Sequence, residues 1–429
     1  MAARTSLSMD DTLDYLVIGG GVIGLAVALE LKRRAKTAHV QLVEKELECG
    51  LHASGRNSGV LHAGFYYAAD SMKARFCREG NAELRTYIKR RDLPINQCGK
   101  LVVAKDEGDL AGLDLLYQRG KANGVALEMI SPEDARRIEP RVRTHERALW
   151  SPLTASADPA EVMKALTAEA ELVGVEIRRG VTFAGVDEKG VRLTPSLAHT
   201  QRKDATPPPV KAGYVINCAG LYADRVAKAF GMCRRYTILP FKGLYLYSDE
   251  APGSLKTLVY PVPDMAYPFL GVHFTVTVDG HTKIGPTAMP AFWRENYGGL
   301  ANFRLGEMAA IGARELSLFV NAGFDFRGLA LQEMRKYSRK YLVEQGGRLL
   351  DGVRLEDYKR WGKPGIRAQL LDLTTKKLEM DFVLEGDAAS LHVLNAVSPA
   401  WTCALPFARH VCDEAARLRG TGRLFRRPA

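Results

Sequence analysis

The stretch Asp14-Tyr15-Leu16-Val17-Ile18-Gly19-Gly20-Gly21-Val22-Ile23-Gly24 constrains this chain more than any other. A short apolar run leads into Gly19-x-Gly21-x-x-Gly24 and then into a helical pattern at 25–32, which reads as buried strand, tight turn and helix. Gly19 permits the turn, Gly21 lets a pyrophosphate approach the backbone, and Gly24 allows close helix–strand packing. The helix start adds unpaired N–H groups and the positive end of a dipole. A second strand at 39–43 ends on Glu44, at the spacing of a carboxylate that accepts both ribose hydroxyls, and an acid there argues against a 2′-phosphate. Together these features read as a dinucleotide-binding βα unit, with NAD and FAD both open.

With 429 residues, 46% hydrophobic and 25% charged, the chain is long enough for two domains. Its apolar stretches break within about a dozen residues, short of the ~20 that cross a bilayer. Residues 1–10 hold no apolar core, so no secretory leader is expected, and the expected location is cytoplasmic, with peripheral contact at the inner membrane. Seven cysteines without C-x-x-C spacing indicate neither a disulfide framework nor a zinc site, and no spacing suggests any other metal. The formal net charge of +11 favours an acidic substrate or an anionic surface. Arg417, Arg419, Arg423, Arg426 and Arg427, interleaved with Leu418, Leu424 and Phe425, form a basic tail that could touch anionic lipid or a redox partner; a frayed terminus is the plainer reading. No nucleic-acid-binding module is present, so nucleic acid is not an expected partner.

Along the chain, the loop at 51–59 is rich in donors. Helices are expected at 71–91, 109–123 and 132–139, and Asp158 and Pro159 are N-cap and first residue of a helix to 173. A hairpin at 181–186 and 190–193 is interrupted by an excursion at 195–209, after which a buried strand at 212–217 ends in small residues, Ala219 and Gly220, that suit close cofactor approach. From 240 the texture changes: strands at 243–247, 258–260, 269–275 and 281–285 imply an antiparallel sheet on the substrate side. A helical region at 305–342, strands near 382 and 391–394, and a last helix over 400–418 complete the pattern.

Several long motifs, in this order, resemble the FAD-dependent L-2-hydroxyglutarate dehydrogenase/oxidase family within the D-amino-acid oxidase/glycine oxidase superfamily. They are Arg56-Asn57-Ser58-Gly59-Val60-Leu61-His62-Ala63-Gly64-Phe65-Tyr66-Tyr67, Cys98-Gly99-Lys100-Leu101, Cys218-Ala219-Gly220-Leu221-Tyr222-Ala223-Asp224-Arg225, Tyr260-Pro261-Val262-Pro263-Asp264, Pro268-Phe269-Leu270-Gly271-Val272-His273-Phe274-Thr275, Gly365-Ile366-Arg367-Ala368-Gln369 and Asn395-Ala396-Val397-Ser398-Pro399-Ala400. The resemblance covers nearly the whole chain. It implies an α/β fold of the glutathione-reductase type: a Rossmann-like FAD-binding domain from 1–70, 151–235 and 350–429, and a second, mainly antiparallel β-sheet substrate domain plus helices from 71–150 and 236–349. It further implies oxidation of L-2-hydroxyglutarate to 2-oxoglutarate, with electrons passed to a membrane quinone or to oxygen. Trp401 departs from the family pattern, which runs on into a second Ala, and 195–209 looks like a local insertion.

The resemblance and the donor-rich loop both favour FAD, since Ser54, Arg56, Asn57 and Ser58 supply donors beyond the pyrophosphate. The helix start at Ser398-Pro399, with Asn395 close by in sequence, would stabilise negative charge on the reduced flavin. His52 lies where some relatives attach flavin covalently; a dissociable FAD is expected. His62 is the expected base, with His273 its rival or a positioning donor. Arg367 is the expected clamp on one carboxylate, and Lys242 and Tyr66 are candidates for the other or for the reacting centre; each of the two cations has a plain alternative as a structural ion pair. Rival readings keep the fold and change the substrate, to an amine or amino acid or to glycerol 3-phosphate, or make the chain a non-catalytic flavoprotein.

Overall fold

The computed structural model describes residues 12–196, 208–264 and 271–420. Most of the expected excursion at 195–209, the start of the strand expected at 269–275 and most of the basic tail lie outside them. Leu13–Ile18 is the strand expected from its apolar run, and it sits between the parallel strands Val40–Glu44 and Ala212–Asn217. Outward from these come Glu176–Arg179 on one side, and Ser390–Asn395 and Val383–Gly386 on the other, which makes a six-stranded sheet parallel except for its last strand. Strands covered on both faces need apolar residues in both directions. Tyr15 and Val17 accordingly join one core, while Leu16 and Ile18 join the other.

The first core is closed by the helices Val22–Arg34, Met72–Arg90 and Ala400–Leu418. Gly80 lets the last two approach, since a Cβ there would meet Thr402 O at 2.1 Å. The second core is closed by the hairpin Val181–Asp187/Gly190–Pro195 and the helix Ala223–Ala229. Asp158 caps the helix Pro159–Leu172 as expected, its side chain accepting from the Ala160 N–H at 2.8 Å.

A second, eight-stranded sheet includes Lys100–Val103, Ala148–Ser151, Leu258–Pro261, His273–Val276 and Thr282–Gly285. It is antiparallel apart from the pairing of Leu258–Pro261 with Lys100–Val103. Tyr236–Gly243 and Gly365–Asp372 pair along their whole length and place Arg367 opposite Phe241. Residues 360–372, expected in the cofactor domain, therefore hydrogen-bond to strands of the substrate side. The helical region resolves into three helices, Leu305–Val320, Phe326–Arg335 and Arg339–Gly347. Among the described residues no helix is long and apolar enough to cross a membrane.

Candidate active site

The two sheets enclose a cavity of about 1200 Å³, above the ~300–1,000 Å³ usual for drug-sized ligands. At one end lies the glycine turn. Gly19 adopts φ +107°, and a Cβ on Gly24 would meet Gly19 O at 1.9 Å, so both positions require glycine. Glu44 closes the turn: its Oε2 accepts from the Gly20 N–H at 2.7 Å and its Oε1 from the Glu46 N–H at 2.9 Å. A carboxylate has about four acceptor positions, so capacity remains for a diol. The Val22–Arg34 helix starts at Gly21 without a capping side chain of its own, and Ser54 Oγ reaches in to accept from the Val22 N–H at 2.9 Å. The Ala400–Leu418 helix, also uncapped at its start, brings Ser398, Pro399 and Trp401 to the same cavity. Two helix dipoles thus point their positive ends inward.

The loop after Glu44 divides its donors. Ser54, Arg56, Asn57 and Ser58 all line the cavity, but Asn57 spends its side chain on the loop, donating to Ser54 O and accepting from the Gly59 N–H. Arg56 donates to Leu51 O and lies over the Tyr297 ring. Both nitrogens of His52 are engaged, by the Tyr297 hydroxyl at 2.7 Å and Glu46 Oε1 at 2.9 Å. His52, Glu46 and Glu295 bring three ligand-type atoms within 4.8 Å of one another, yet the Lys45 ammonium already pairs with both carboxylates. That cation meets the charge a metal would neutralise.

The same cavity is lined by His62 and Tyr66, from one segment, and by His273 and Arg367, from two others. His62 is buried with Nδ1 unpartnered, and burial, together with charge on Lys100 and Arg367, holds its pKa well below the usual histidine value. The His273 Nδ1 lies 2.7 Å from Gly271 O, which can only accept, so the proton is on Nδ1 and the neutral ring keeps its lone pair on Nε2. Its ring stacks on Tyr260 at 3.7 Å, and burial pushes its pKa down to about 3. The Tyr66 hydroxyl is buried and unpartnered beside them. Burial also lowers the pKa of Arg367.

Ala219 and Gly220 line the cavity, and Trp401 forms part of its wall. Two of the expected residues lie off its wall. Lys242 is off the cavity wall, because its strand neighbours Phe241 and Gly243 face the cavity and alternation turns it away. Asn395 is also off the wall: fully buried, it donates to Glu379 O and Asp381 O and accepts from the Leu370 N–H, tying backbone together behind the site. Two residues went unforeseen. Lys73 lines the cavity, 6% exposed, with its pKa lowered to about 8 by burial and then by the Arg367 charge. Its signal was present, since Lys73 falls on the apolar face shared by Phe76, Gly80, Leu84 and Tyr87. Lys100 is fully buried behind the site, its Nζ without a hydrogen bond and 4.1 Å from the Tyr260 ring centroid; burial lowers its pKa to about 7.

Residues 14–414 match the family model described as DAO, FAD dependent oxidoreductase. The mitochondrial L-2-hydroxyglutarate dehydrogenase of Nematostella vectensis is 36% identical, over 96% of this chain and 92% of its own length. The L-2-hydroxyglutarate dehydrogenase of Indibacter alkaliphilus is 34% identical, over 93% of this chain and 98% of its own length. Among solved structures, the FAD-bound L-alpha-glycerophosphate oxidase of Mycoplasma pneumoniae shares the fold with a TM-score of 0.73 at 24% identity, covering 98% of this chain and 97% of that one. A glycine turn under a helix start, an acid closing it and a second helix start on the wall of one large cavity fit FAD, the cofactor this match carries. The chain belongs to the family of FAD dependent oxidoreductases and, within it, to that of the L-2-hydroxyglutarate dehydrogenases.

Proposed function

We propose that this protein oxidises L-2-hydroxyglutarate to 2-oxoglutarate. The observation that carries the reading is a pair of buried cations, Arg367 and Lys73, on the wall of the cavity that also holds His62. Two cations match a substrate with two carboxylates. Arg367 holds the C1 carboxylate beside the reacting carbon, because its charge is felt at His62, and a guanidinium fork fixes the plane of the group it grips. Lys73 takes the distal carboxylate, which restores the charge that burial disfavours. Bound FAD supplies the acceptor for the hydride that leaves C2. His62 takes the hydroxyl proton at Nε2, since its Nδ1 is shut away from the cavity. His273 is the second reading for this role, favoured by the fixed tautomer that leaves its Nε2 an acceptor. FAD is held without a covalent bond: both nitrogens of His52 are committed to Tyr297 and Glu46, beside the ribose-binding Glu44. A division into an FAD-binding and a substrate-binding unit follows the two large sheets, with 360–372 on the substrate side.

The test is kcat/KM for L-2-hydroxyglutarate and L-lactate with a soluble dye as acceptor. Arg367→Met lowers both by about 10- to 100-fold, the loss of a charge-assisted contact that every 2-hydroxy acid shares. Lys73→Met lowers the value for L-2-hydroxyglutarate by a similar factor and spares L-lactate. Equal loss for both substrates in Lys73→Met would remove it from the distal carboxylate.

A further inference from the structure

Lys100 stands where an apolar side chain is expected. It opens an interior strand of the eight-stranded sheet, and alternation puts it on the same face as Val102, which belongs to an apolar core with Phe65, Tyr66, Leu258 and Tyr260. The side chain is fully buried, and among the described residues nothing hydrogen-bonds to its Nζ. Three rings surround the ammonium instead: the centroids of Phe65, Tyr66 and Tyr260 lie 5.6, 5.0 and 4.1 Å from it. A methionine would fill that space without the desolvation cost of an unpaired charge.

The same rings tie the ammonium to both histidines of the cavity. Phe65 and Tyr66 follow His62 in one segment, and Tyr260 carries the stacked ring of His273. Lys100 itself is off the cavity wall, so it acts on the site through these neighbours. Burial lowers its pKa to about 7, which leaves it charged across the acid range where a histidine titrates. The titratable groups facing His62 are Lys100, Arg367 and His273, and the Cys77 thiol donates to its backbone carbonyl. Lys100 is faced by Cys77 and Cys98 besides the two tyrosines, and His273 by Lys100, Lys336 and Lys283. Among the described residues no carboxylate stands against His62 or Lys100 to cancel the charge.

We propose that Lys100 is a positioning residue for the oxidation: its caged ammonium sets the field at the histidine base and fixes the rings of Tyr66 and Tyr260 beside it. This role rests on the histidine base of the proposed function.

The test is the rate of anaerobic flavin reduction by L-2-hydroxyglutarate in the FAD-loaded protein, read by pH-jump mixing from about pH 8 down to about pH 4.5. In Lys100→Met the acid decline begins at least about one pH unit higher than in the wild type, because loss of a positive charge makes the histidine easier to protonate. Lys100→Gln, a second neutral side chain, repeats the shift, and Lys100→Arg, which keeps the charge, keeps the wild-type decline. A merely structural role lowers the plateau and leaves the decline where it was. An unmoved decline in both neutral variants, or an equal shift in Lys100→Arg, overturns the proposal. Failure of L-2-hydroxyglutarate to reduce the wild-type flavin overturns the proposed substrate instead, and the profile is then read with the substrate that does reduce it.

Discussion

His62 is surrounded by positive charge, and that sets how it works. Burial and its cationic neighbours keep the ring neutral through the neutral range, which is the state a base needs. Flavin reduction should therefore stay level as pH falls through neutrality and decline only below the ordinary histidine value of 6.5. A substrate carboxylate on Arg367 cancels part of the repulsion, so the apparent pKa governing kcat lies above the one governing kcat/KM. His62→Ala retains FAD and loses about 10²–10⁴-fold in the rate of anaerobic flavin reduction, the usual contribution of a placed base. A matching loss in His273→Ala, with His62→Ala near normal, would transfer the role.

At the scale of elements, the glycine turn is the least forgiving. Gly24→Ala forces a methyl group onto Gly19 O, so we expect a loss of about 1–3 kcal/mol and a protein purified largely without flavin. Undiminished flavin content, read from the ratio of visible to protein absorbance, would contradict this. The turn, Glu44 and the flanking strand and helix were legible in the sequence because their partners lie within some thirty residues. The motifs singled out Arg367, His62 and His273, and the fold brings all three to one cavity. What stayed hidden depends on pairings between distant segments. Lys242 points away because of strand alternation, and residues 366 and 367 must be set in register before that shows. Asn395 serves backbone groups that only the folded chain brings near. Lys100 is caged by Phe65, Tyr66 and Tyr260, which no local pattern connects.

At the scale of the whole molecule, burial of neutral histidines makes the fold acid-sensitive. The pKa of His273 is pushed down to about 3 and that of His392 to about 4, and His62 also lies low. In each case the unfolded chain binds the proton first. The stabilisation is complete above about pH 6.5 and is lost as pH falls towards the folded-state values, at up to about 1.4 kcal/mol per pH unit for each histidine. The melting temperature should fall steadily between about pH 6.5 and pH 4. His392 sits away from the cavity, hydrogen-bonded to Asn217 and Ser390, so His392→Gln should make that fall shallower without changing turnover. An equally steep fall in that variant would assign the acid sensitivity to other groups.

Binding of FAD and a 2-hydroxy dicarboxylate together in one cavity is what the proposed function requires. Its most direct test is the visible spectrum of the purified protein, recorded without oxygen before and after L-2-hydroxyglutarate, with L-lactate, glycerol 3-phosphate and glycine as comparisons. The expected result is a yellow protein whose flavin band is bleached rapidly by L-2-hydroxyglutarate, slowly by L-lactate and not by the other two. Bleaching by glycerol 3-phosphate or glycine in preference to L-2-hydroxyglutarate would contradict the assignment of substrate, and a colourless protein that takes up no FAD would contradict the assignment of the site.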